Sequence, residues 1–181
     1  MGNGAAMRVA PLGGWFADDL DLAAAQARFS AEVTHMHPDG IAGAVAVAIA
    51  AALAWQTGQS GASFSRSEFF AEIIARTPAG ETRSGIETAA SLPEEMWSHD
   101  AATRLGDGSR ITSADTVPFC LWVAAGNMGD FTEGLWATVH VGGDIDTNCA
   151  IVGGILALAV GDDGLPSAWL TMREEMALTG L

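Results

Sequence analysis

The stretch IAGAVAVAIAAALAW, residues 41–55, carries no charged side chain. Ile41, Ala44, Val45, Ala48, Ile49, Ala52 and Trp55 recur at spacings of three and four, which makes one helical stripe. The opposite face is apolar too, so this helix belongs in an interior, where its alanines let neighbouring helices approach closely. Its 15 residues fall below the roughly 18–20 that span a bilayer, and it therefore reads as a core helix.

Upstream, Asp18 or Asp19 can cap a helix whose face runs through Leu20, Ala23, Ala27, Ala31 and Thr34 or His35. Pro38-Asp39-Gly40 then turns the chain into the core helix. Downstream, Gln56 to Ser65 holds two Gly, three Ser and one Thr and reads as a surface loop. A short helix follows over Ser67–Arg76, with Phe69, Phe70, Ile73 and Ile74 on it and Thr77-Pro78 ending it. A weaker helix near Glu81–Ser91 stops before Pro93. Leu105–Ile111 contains the Gly106-Asp107-Gly108 turn. Pro118 is placed as in a first helical turn leading into Phe119–Ala125. Asp130–His140 is amphipathic through Phe131, Leu135, Trp136 and Val139. Thr147–Val160 is the last strong helix, and its Gly153-Gly154 pair suggests close packing. No alternating strands, fixed-period repeat or linker interrupts this pattern, so the reading is all-α, with residues 1–181 as a single domain. Trp122 and Trp136 are assigned to the core.

The charge limits the partners. There are 22 acidic against 8 basic side chains, a net charge of −14, and every basic residue is Arg. So negative a surface repels phosphate backbones and anionic headgroups, which excludes nucleic-acid binding by a basic patch and peripheral membrane binding. A hydrophobic share of 49% with only 17% charged residues, and a mean hydropathy of +0.26, excludes disorder. Cys120 and Cys149 make neither a disulfide framework nor a CxxC pair; they read as core thiols in a reducing cytoplasm. Met1–Leu12 carries one basic residue and no apolar run of signal-peptide length, so no secretory signal is expected.

Chemistry concentrates in Val141-Gly142-Gly143-Asp144-Ile145-Asp146-Thr147, ahead of the last helix. In an extended loop, residues two apart point the same way, so the Asp144 and Asp146 carboxylates converge while Ile145 faces away. Paired hard oxygens suit Mg²⁺, Mn²⁺ or Ca²⁺, and the Thr147 hydroxyl adds a third. The alternative is a helix cap with an acid favouring the dipole. An EF-hand fails, because position 6 is Cys149 instead of Gly and position 12 is Ile155 instead of Glu. Gly2-Asn3-Gly4-Ala5-Ala6-Met7-Arg8 allows close backbone approach to a ligand, against the alternative of a frayed terminus. In Thr34-His35-Met36-His37-Pro38, the two histidines have no third zinc ligand nearby and read as one capping and one exposed.

Taken in order, GNGAAMRVAPLG, THMHPDGIAGAVAVAIA, DTVPFCLW and GGDIDTNCAIVGGILA resemble the ADP-ribosylglycohydrolase family, relatives of the dinitrogenase reductase-activating glycohydrolase, over nearly the whole chain. The resemblance implies an all-α orthogonal bundle that hydrolyses the glycosidic bond joining ADP-ribose to a protein side chain or other acceptor. It implies two Mg²⁺ or Mn²⁺ ions that orient the ribose hydroxyls, and an ADP-ribosylated protein or small ADP-ribose conjugate as partner. By the same resemblance Asp144, Asp146 and Thr147 are metal ligands, and Gly2, Asn3, Gly4, Ala5 and His35 contact the substrate. Family members also carry a preceding half with a Gly-Asp-rich segment and a Thr-Asp-Asp motif, to which the catalytic acids are assigned. This sequence matches neither, and Asp18-Asp19 falls downstream of the GNGAAMR loop, in the wrong order. The resemblance therefore implies a C-terminal portion, with the catalytic residues unassigned. It also implies that helices such as 41–55 expose apolar surface and self-associate. The competing readings are a non-catalytic ADP-ribose or nucleotide-binding module and a structural helical domain in which DxDT is only a cap.

Overall fold

A computed structural model describes residues 1–61 and 64–174. Its helices are α1 (Gly4–Met7), α2 (Ala10–Trp15), α3 (Leu20–Glu32), α4 (Pro38–Ser60), α5 (Arg66–Arg76), α6 (Glu81–Ser91), α7 (Ser98–Leu105), α8 (Ser113–Gly126), α9 (Phe131–Val139), α10 (Ile145–Val160) and α11 (Ser167–Met172). Among the described residues there is no strand; one isolated antiparallel bridge pairs Gly2 with Thr112. The fold is all-α.

The apolar segment at 41–55 is the axis of the bundle. Every side chain from Ala44 to Ala54 is at most 3% exposed, and α1, α2, α3, α5, α6, α8 and α10 all pack on α4. Small residues set the spacing. A Cβ on Gly13 of α2 would stand 2.2 Å from the Ala48 carbonyl oxygen, and one on Gly58 would stand 2.5 Å from that of Ala159 in α10. A Cβ on Gly154 would meet the Ala10 Cβ at 2.8 Å, which bears out the close packing expected at Gly153-Gly154. The expected exposure of this helix is thus overturned: its neighbours within the chain cover it.

Several boundaries move. Pro38-Asp39-Gly40 is the first turn of α4 instead of a turn before it. Proline lacks the N–H that a first-turn residue cannot use, and the His37 ring accepts the Asp39 N–H at 3.2 Å. At its other end α4 runs on to Ser60 and stops at Gly61, whose φ is +63°. Gln56–Ser60 is therefore helix, and Ala62 and Ser63 of the expected loop lie outside the described residues. At this length Pro38–Gln59 is long and apolar enough to cross a membrane, so the length argument fails. Instead, 78% of its most apolar stretch is buried within the bundle. Pro118 sits inside α8, well past its first turn. Its ring packs on α6, where a Cβ on Gly85 would come within 2.6 Å of the Pro118 Cγ.

The other helices begin where the side chains dictate. Asp19 accepts the Asp21 and Leu22 N–H groups and starts α3. Ser65 and Glu68 form a reciprocal capping box at α5. Asp130 caps α9 through the Glu133 N–H. Helices α1, α2, α7 and α11 had no sequence-based expectation. Trp122 is buried as expected, but Trp136 is 47% exposed and stacks on His140 at 5.6 Å.

The α2–α4 contact is testable. Gly13→Ala forces two backbones apart and should cost about 1–3 kcal/mol, a melting temperature lower by roughly 2–12 °C in a protein of this size. Gly126→Ala, with nothing within 4 Å of its new methyl, should leave the melting temperature unchanged or slightly higher by circular dichroism.

Candidate functional site

The fold brings together the N-terminal segment, the residues between α3 and α4, the start of α8, the Gly106–Ile111 loop and the start of α10. Asn3 is their junction. It is 4% exposed, and its amide nitrogen donates to Thr116 Oγ1 at 3.0 Å and to Asp144 Oδ2 at 2.8 Å. These partners lie 113 and 141 residues away in sequence. The bridge from Gly2 to Thr112 and the Ser113 N–H on the Met1 carbonyl at 2.9 Å hold the segment in place. The terminus is ordered by these contacts, and the frayed alternative is excluded.

Asp144 and Asp146 do meet, though the backbone that brings them together differs from expectation. The loop is not extended through both: Asp144 is the N-cap residue of α10 and Asp146 belongs to its first turn. The Asp144 side chain makes no hydrogen bond to an N–H of its own helix, so the capping alternative does not account for it. It accepts instead from Asn3, and the neighbouring Asp146 carboxyl is held below the usual carboxylate range by the Asp144 carboxyl and then by the Thr147 N–H. Carboxyl groups so placed hold either one proton or a cation between them. Thr147 is buried, its hydroxyl donating to Met7 Sδ at 3.6 Å.

The Gly106–Ile111 loop seats this pair. The Asp144 N–H donates to the Asp107 carbonyl at 3.1 Å and Asn148 Nδ2 to the same oxygen at 2.8 Å. The approach is close enough that a Cβ on Gly143, at φ +70°, would lie 2.1 Å from that oxygen. The Asp107 carboxylate accepts from the Ser109 side chain and backbone N–H, which holds it below the usual range. Asp115, 4% exposed, is gripped by the Arg110 N–H at 2.9 Å and Arg110 Nε at 2.8 Å.

The expected substrate residues divide. The His35 ring lies across the glycines: a Cβ on Gly2 would stand 3.2 Å from His35 Nε2, and one on Gly4 would stand 3.4 Å from Cε1. Gly2, Asn3, Gly4 and His35 thus share one face. Ala5 is 1% exposed, inside the core. His35 and His37 have separate surroundings, since His37 caps α4 while His35 turns to the glycines. Burial, Arg8 and the terminal ammonium lower the His35 pKa, so its ring is neutral near pH 7. Asp18 is exposed and Asp19 caps α3, both on the surface as expected.

Sequence reasoning passed over Thr116, although it quoted the DTVPFCLW segment that contains it, and over Asp39; Asn148 entered only as the fifth position of the rejected EF-hand. Asp39 is 8% exposed and accepts the Thr82 N–H at 2.9 Å. A polar residue at the start of an apolar run was the available signal for Thr116.

Asn3→Ala removes a donor from buried Thr116 and from Asp144. It should cost about 1–3 kcal/mol, read as a melting temperature lower by roughly 2–12 °C. Ser109→Ala should destabilise in a pH-dependent way. The depressed Asp107 pKa adds stability that is full above the ordinary aspartate value and is lost as pH falls through its lowered folded value. The penalty measured by thermal melts should therefore be present near pH 7 and vanish in acid.

Comparison with known proteins shows the family. The ADP-ribosylglycohydrolase family matches residues 1–180. An uncharacterized protein of Archaeoglobus fulgidus is 36% identical over 169 residues, covering 92% of this chain and 52% of that relative. The chain spans about half the length of the relative it matches. It belongs to the ADP-ribosylglycohydrolase family.

Proposed function

We propose that the chain serves hydrolysis of the glycosidic bond linking ADP-ribose to a protein side chain or other acceptor, with Mg²⁺ or Mn²⁺ held by Asp144, Asp146 and Thr147. Its family is generally metal-dependent and acts on ADP-ribose conjugates. The observation that carries the reading is an N-cap aspartate whose carboxylate is not spent on its own helix and faces a second carboxylate. The donors are hard oxygens, which suit these ions and not a soft metal. Among the described residues no group of three or more His, Cys, Asp or Glu stands together, so these residues fill part of a shell. That is compatible with Mg²⁺, which usually keeps several waters. The second ion implied by the family resemblance needs oxygen ligands beyond these three.

Such an ion, when bound, neutralises the carboxylate pair and polarises ribose oxygens. The chain's own residues do the rest. Asn3 fixes the orientation of Asp144 through its amide, and the absence of side chains at Gly2 and Gly4 lets the backbone lie against the neutral His35 ring. The catalytic acid and base are left unassigned. The second reading is non-catalytic binding of ADP-ribose or a nucleotide, which the Asn3–Asp144 junction would serve equally without turnover. A cytoplasmic setting is supported by two free cysteines, one of them, Cys120, buried with its thiol pKa pushed up by desolvation.

The test is release of ADP-ribose from a modified protein, together with thermal shifts. Mg²⁺ or Mn²⁺ with ADP-ribose at 100-fold over Kd should stabilise the chain by about 2.7 kcal/mol, and Asp144→Asn should abolish the metal-dependent part. Hydrolysis lost in Asp144→Asn supports the enzyme. Binding without metal dependence or turnover supports the second reading. Unchanged melting on adding both ion and ADP-ribose would sink both.

A further inference from the structure

Arg8 lies on the surface just after α1, yet it makes three hydrogen bonds that converge on one place. Its guanidinium donates to the Gly4 carbonyl at 3.1 Å, to the Ser30 carbonyl at 3.1 Å and to Thr34 Oγ1 at 2.8 Å. Thr34 Oγ1 in turn stands 2.7 Å from His35 Nδ1. The two carbonyl bonds fix the guanidinium between the N-terminal segment and the end of α3. The third bond then occupies a lone pair of the Thr34 hydroxyl.

A hydroxyl has one hydrogen and two acceptor lone pairs; with Arg8 on one lone pair, its hydrogen is available to His35 Nδ1. We propose that Arg8 and Thr34 are positioning residues: Arg8 orients the Thr34 hydroxyl to donate to His35 Nδ1, which fixes His35 as the neutral tautomer carrying its proton on Nε2. Nε2 is the ring nitrogen beside Gly2, so the arrangement presents an N–H donor to the glycine face. That donor suits an oxygen acceptor such as a phosphate or carbonyl, and it excludes a role for His35 Nε2 as a base or metal ligand in the resting state. The neutral ring agrees with the lowered His35 pKa, caused by burial, then Arg8, then the terminal ammonium. Glycine at 2 and 4 has the same logic, since a side chain there would crowd the ring edge that carries the donor.

The relay is read directly by nitrogen NMR of the intact chain labelled in histidine, with no ligand present. His35 should show a pyridine-type Nδ1 and a pyrrole-type Nε2. Thr34→Val, which removes an exposed hydroxyl, should convert this to a mixture of tautomers, Thr34→Ser should restore the wild-type pattern, and Arg8→Gln should weaken it. The ligand arm rests on the proposed ADP-ribose site: affinity for ADP-ribose should fall about 5- to 10-fold in Thr34→Val, roughly the worth of one hydrogen bond, and return in Thr34→Ser. A proton found on Nδ1 in the wild type, or spectra unchanged in Thr34→Val, overturns the proposal. Wild-type spectra as expected with no ADP-ribose binding by any variant leave the relay standing and reject the functional reading instead.

Discussion

One side-chain amide holds the site together. With a single nitrogen, Asn3 donates both to a hydroxyl on α8 and to a carboxylate at the head of α10. A buried donor is costly to leave unpaired, so each of its two bonds demands the other partner's position. The arrangement needs Thr116 to face the interior at the polar start of α8 and needs Asp144 to forgo capping its own helix. The Gly106–Ile111 loop holds Asp144 from its other side, the Asp107 carbonyl accepting the Asp144 N–H. Remove the amide and the carboxylate pair loses its fixed orientation, whatever ligand it serves.

Behind the site, α4 provides rigidity by being small. Its alanines let α2, α3 and α10 approach until backbones nearly touch, as Gly13 against Ala48 and Gly58 against Ala159 record. Close-packed interiors have few alternative arrangements. The segment bearing Asn3 continues directly into α1 and α2, and is therefore referred to the same axis as the start of α10. Packing far from the site thus governs distances inside it.

The fold class was legible because helices whose packing faces are written in periodic residues announce themselves. Leu20, Ala23, Ala27 and Ala31 marked α3, and Glu81–Ser91 was located to the residue. What failed was local. Pro38 was read as a turn because proline breaks helices in general, although at the first position it starts one. Pro118 was read as a start, where tertiary packing on Gly85 sustains it within a helix. Helices α1 and α2 are too short and too rich in glycine to carry a period, and only contacts across the molecule stabilise them. The site was legible in its residue types: Asp144 and Asp146 come together, as do Gly2, Gly4 and His35. Its wiring was not, since a bond from Asn3 to Asp144 over 141 residues leaves no trace in local spacing.

The directions of three helices have an electrical consequence. Near their beginnings, α4 meets Gly2 through Gly40, α8 meets it through Ser113, and α10 meets Asn3 through Asp144, while Gly58 and Ala159 join the far ends of α4 and α10. All three therefore aim their amino ends at one small region, each carrying about half a positive charge from its peptide dipoles. In a molecule with a net charge of −14, these three dipoles therefore offset part of the negative charge that Asp39, Asp115, Asp144 and Asp146 place at the same helix starts.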